Sequence, residues 1–188
     1  MLSRCRIASL AYASLACVLF LGVSITGASA STPAGGVVHV FITPSLTNGG
    51  GGTVVLTGAI GDYGTTTGHT TKSGKPDQTG AYGTMDLKKG TILVDLSALE
   101  AKQVSASNQA QPNLSTCSQS ISLTAPLTFV SGTGLYKGIT GTVNTSFYVA
   151  FVLPRFTSGK NKGMCNGSNN AVPLAEYGQL IGSGTVSF

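Results

Sequence analysis

The chain has 188 residues, of which only 9% are charged, with 26 glycines, no tryptophan and a formal net charge of +5. That is little charge and much glycine for a cytosolic globular protein, and it points to a β-rich exported chain. The lysines and arginines are scattered and not interleaved with aromatics along one element, so a nucleic-acid partner has little support.

In chain order, Arg4 and Arg6 form a positive leader, residues 7–25 are almost unbroken apolar sequence, and Ala28 and Ala30 supply small side chains at the two cleavage-determining positions. Residues 1–30 therefore read as a secretory signal peptide cut after Ala30. The apolar run could cross a bilayer, but the small-residue site favours cleavage, which leaves no stable membrane span and a secreted, extracellular product. Cys5 and Cys17 depart with the leader. Cys117 and Cys165 remain, and in an oxidising compartment two cysteines are expected to form one disulfide. The rest of the chain suits a single domain, with residues 31–36 as a flexible lead-in and residues 37–188 as the folded part.

Residues 37–42 (VVHVFI) read as a first strand and 53–60 (TVVLTGAI) as a second, separated by a glycine turn at 48–52. Residues 61–80 carry a glycine every few positions, which fits a bent third strand as far as Thr70 followed by a loop. Residues 81–87 and 91–96, joined by Lys88-Lys89-Gly90, read as a hairpin. Residues 97–103 have helix-forming composition for at most two turns, and 105–116 read as a polar surface loop.

Residues 120–124 and 127–130 are strand-like on either side of Pro126, which predicts an edge or a bulge there. The clearest strand spans 142–153, with Val143, Thr145, Phe147, Val149, Phe151 and Leu153 on one face. Residues 157–171 form a long loop pinned at Cys165, and 179–188 return as a last strand with Leu180, Gly182, Gly184, Val186 and Phe188 aligned. Seven or eight strands with one short helical stretch predict an all-β antiparallel barrel or sandwich.

Motifs for chemistry are sparse. Gly132, Gly134, Gly138 and Gly141 are followed by a strand and not a helix, so they fail the dinucleotide fingerprint and read as turn glycines. There is no Gly-x-Ser-x-Gly elbow. His39 and His69 lack a neighbouring ligand cluster, so no metal and no cofactor are expected. Asp86 and Asp95 lie in strands. Either could line a barrel cavity beside Tyr82, Tyr148 or Arg155 and act there as acid or base; the competing reading is that these polar groups face solvent.

Residues 131–141, SGTGLYKGITG, resemble the G-G-T-G-x-F/Y-x-x-A-x-G signature of dirigent proteins, the allene oxide cyclase barrel superfamily and related bacterial exported proteins, with Ser for the first Gly and Ile for the usual Ala. The resemblance covers about a dozen residues, with weaker support from the ending GSGTVSF. It implies a single antiparallel eight-stranded β-barrel with a central cavity, and it makes the matched glycines structural. No local motif anchors the cavity groups of those families here, so no catalytic residue is carried over. The expected function is a non-catalytic small-ligand-binding or extracellular interaction protein whose partner is a small apolar molecule. The alternative is a cyclase- or isomerase-like, or dirigent-like, enzyme acting on a small apolar substrate in the cavity.

Overall fold

A computed structural model of the chain describes residues 34–45, 51–168 and 171–188. The expected signal peptide lies outside the described residues, as do most of the glycine turn at 48–52 and the start of the lead-in. Eight strands, β1 (Gly36–Pro44), β2 (Gly52–Gly58), β3 (Asp62–Thr70), β4 (Tyr82–Leu87), β5 (Gly90–Asp95), β6 (Ser118–Gly132), β7 (Thr140–Val152) and β8 (Ala175–Ser187), pair in sequence order. All neighbours are antiparallel, and β8 returns to β1, so the sheet closes into a barrel. Closure pairs the edges that valine- and threonine-rich strands would otherwise expose. Among the described residues no helix is long and apolar enough to cross a membrane.

The period-2 pattern does what the sequence predicts. In β7, Val143, Thr145, Phe147 and Val149 are buried while Thr142, Asn144 and Ser146 are exposed. The buried Thr145 hydroxyl donates to the Ala125 carbonyl at 2.7 Å, so its polar atom is satisfied inside the barrel. Opposite β7, the β8 face carries glycine where space runs out: a Cβ on Gly182 would lie 2.6 Å from Val143 Cγ1 and 2.7 Å from Thr145 Cγ2.

One element differs from expectation. The helix α1 (Ser97–Gln109) is 13 residues long and takes in much of the anticipated loop at 105–116. It starts where the Asp95 carboxylate accepts from the Ser97 backbone N–H at 2.9 Å and its hydroxyl at 2.6 Å. It continues because Leu99 and Ala106 rest on the barrel core, as does Ala110 just past its end, and these few contacts carry no visible apolar stripe. β6 runs unbroken through Pro126, and the edge that the proline predicts is there. β5 pairs only with its 128–132 end, so Pro126 sits where β6 has no strand neighbour on that side, the edge position a proline requires. The helix covers this free edge, and Lys102 Nζ donates to the Thr124 carbonyl at 2.8 Å.

The glycine-rich stretch after β6 seals one end of the barrel. A 3-10 turn, Gly134–Tyr136, folds Tyr136 and then Ile139 into the core, where they are 1% and 0% exposed. Gly134 has φ +60°, and a Cβ there would strike the Lys89 carbonyl oxygen. Gly138 and Gly141 also lie at positive φ. These glycines are structural, as the sequence implies. Gly134→Ala is expected to destabilise by about 1–3 kcal/mol, from left-handed strain plus the contact with backbone, read as a lowered urea midpoint at unchanged slope.

Cys117 and Cys165 are joined, with Cα atoms 5.3 Å apart and a separation of 48 positions in sequence. The bridge ties the turn before β6 to the long loop after β7. Arg155 spans the same two segments, donating to the Ser115 carbonyl at 2.6 Å and the Gly163 carbonyl at 2.7 Å.

Candidate functional site

The two barrel ends are built differently, and β3 shows this along its length. At its first residue, Asp62 is 6% exposed and accepts from the Tyr136 hydroxyl at 2.5 Å, the Lys89 N–H at 2.9 Å and the Tyr63 N–H at 2.8 Å. Burial pushes the Asp62 carboxyl up, but these donors and the nearby Lys89 charge outweigh it and hold the carboxyl below its ordinary value. Burial, and then the bond to Asp62, push the Tyr136 phenol well above its ordinary value. This end is a polar latch inside an apolar plug.

Seven residues further on, β3 reaches the other end, where the barrel holds a cavity of about 380 Å³. Its floor and walls are apolar: Ile42 of β1, Met85 of β4, Val94 of β5, Leu127 of β6, Phe147 of β7 and Leu180 of β8. These are the inward positions of each strand, so the strand period itself makes the lining hydrophobic. Helix α1 leans across the opening and contributes Leu99, Glu100 and Gln103. Thr66, Thr67 and His69 from the end of β3 complete a polar rim. An apolar interior with a few convergent polar groups at one end is the usual form of a small-molecule site.

His69 and Glu100 face each other at this rim, Nδ1 to Oε1 at 3.5 Å. The distance permits an ion pair when His69 is protonated but is too long for a well-formed hydrogen bond. Glu100 Oε1 is shielded from solvent and has no hydrogen-bond partner among the described residues. His69 is held at φ +53°, in the left-handed region that non-glycine residues seldom occupy.

None of the five residues expected to line the cavity does so. Asp86 is exposed and accepts from the Thr91 hydroxyl on the outer surface. Tyr82 shares its strand parity, since Gly83 and Met85 take the inward positions of β4. Asp95 begins α1 through its bonds to Ser97. Tyr148 lies on the outer face of β7, 6.3 Å from the Tyr177 ring, beside an open external groove. Arg155 is exposed and braces the disulfide loop. The reason is the same for the four strand residues, Tyr82, Asp86, Asp95 and Tyr148: polarity on an alternating strand marks the outside.

The titratable groups that do reach the cavity, His69 and Glu100, carry no local signal. They are 31 positions apart in a glycine-rich strand end and a short helix, and only barrel closure brings them together. Among the described residues there is no cluster of three or more side chains able to hold a metal ion. No protein-family model, curated protein or solved structure matches this chain.

Proposed function

We propose that the protein is an exported carrier or receptor that binds one small, largely apolar molecule inside the open end of the barrel. The observation that carries this reading is the 380 Å³ cavity lined by inward aliphatic and aromatic side chains and closed at the far end by the Tyr136 plug. Export is supported by the leader-like residues 1–30 and by the disulfide, which persists in oxidising compartments. The resemblance of residues 131–141 to the dirigent and allene oxide cyclase barrels adds to the same reading, because that stretch builds the sealed end which turns a barrel into a cup. The cyclase-like alternative has lost the candidates Asp86, Asp95 and Arg155, all of which lie outside the cavity.

The test is uptake of the fluorescent apolar probe N-phenyl-1-naphthylamine. One saturable site per chain is expected. Leu180→Trp, or Leu99→Trp at the opening if the first variant folds poorly, weakens uptake by about tenfold or more by filling the space. Tyr148→Ala, on the external groove, leaves uptake unchanged. Uptake that follows Tyr148 and ignores both tryptophan variants would overturn the assignment.

A further inference from the structure

Resting on that ligand-binding reading, we propose that the cavity selects molecules with an apolar body and a hydrogen-bond-donating head, an alcohol or an ammonium group, received by Glu100 at the mouth. The volume of about 380 Å³ bounds the body. At about 30 Å³ per heavy atom, the liquid volume of a water molecule, it holds roughly twelve atoms.

The head group follows from the rim. An ionised carboxylate only accepts hydrogen bonds. Glu100 Oε1 is buried at the edge of an apolar chamber without a donor among the described residues, and such an oxygen is costly to leave unpaired. His69 is its nearest charged-group neighbour, yet at 3.5 Å it does not satisfy it. The remaining polar lining side chains are Ser45, Thr66, Thr67, Thr84 and Gln103, with Thr84 paired to Thr67 across the strands, and Glu100 is the one lining carboxylate a donating head can meet. A donor there completes the unmet bond. A ligand carboxylate would instead bring a second negative charge against Glu100.

Three ten-carbon probes that differ only in the head separate these cases: 1-decanol, decylammonium and decanoate, each competing with the fluorescent probe at neutral pH. Decanol or decylammonium is expected to displace the probe at about tenfold lower concentration than decanoate. Which of the two is stronger tells a neutral from a cationic donor. In Glu100→Gln, with folding verified by circular dichroism and thermal melting, the gap to decanoate closes, because the repelling charge is gone. Equal displacement by all three probes, or a discrimination that survives in Glu100→Gln, overturns the assignment to Glu100 and leaves the ligand-binding reading standing. Failure of every apolar probe to enter the barrel overturns both.

Discussion

Replacing Cys117 and Cys165 together by serine lowers stability by about 4 kcal/mol, the chain-entropy value for a loop of this length. The 48-residue separation is the reason: the bridge restricts a large loop of the unfolded chain, while in the folded state it joins segments that already meet. For a domain of this size the melting temperature falls by roughly 10 °C. The loss falls short of unfolding the barrel, because Arg155 still bridges the Ser115 and Gly163 carbonyls across the same two segments. Arg155→Met alone costs less than about 1 kcal/mol, since its bonds are exposed and water can replace them. Combined with the cysteine substitutions it costs more than its single effect, because the two cross-links then no longer substitute for one another. Calorimetry on the four proteins reads these differences directly.

Asp62→Ala is expected to cost about 3 kcal/mol. It leaves the Tyr136 hydroxyl and the Tyr63 and Lys89 N–H groups without their shared acceptor at a nearly closed end of the barrel. Tyr136→Phe, which removes one donor and keeps the ring in the plug, costs about 1.5–3 kcal/mol. The pH dependence has a definite sign. The folded-state carboxyl is held below its unfolded value, so its contribution is complete above the unfolded pKa, about 4, and is lost as pH falls through the lower folded value. Asp62→Asn removes that ionisation, so the stability gap between it and the natural protein narrows on acidification below about pH 4. Urea midpoints measured from pH 7 to pH 2 show this; parallel curves for the two proteins would contradict the latch.

The strands were legible because most of them bury one face, and a single buried face writes period 2 into the sequence. β7 is the plainest case. Its turn into the barrel was legible too, since Gly132, Gly134, Gly138 and Gly141 mark backbone that other residues cannot adopt or fit. The full length of α1 was not, because it packs through Leu99 and Ala106, with Ala110 just past its end, against the free edge of β6 and needs no amphipathic stripe. The candidate site was harder still. Asp86 and Asp95 stood out because they interrupt apolar runs, yet interruption on a strand marks the solvent face. His69 and Glu100 meet only once β3 bends at its end and α1 crosses the opening, a juxtaposition made by closure and absent from local sequence. Asp62 illustrates the same limit at the sealed end, where two of its three donors, the Lys89 N–H and the Tyr136 hydroxyl, come from turns far away in sequence.

We propose that the open end of this barrel is a ligand chamber. A crystal structure of the protein grown with saturating 1-decanol tests it most directly. Continuous density for the alkyl chain is expected among Leu127, Phe147 and Leu180, with the hydroxyl within hydrogen-bond distance of Glu100. A chamber filled by its own rearranged side chains, with decanol bound only on the outer surface, would contradict it.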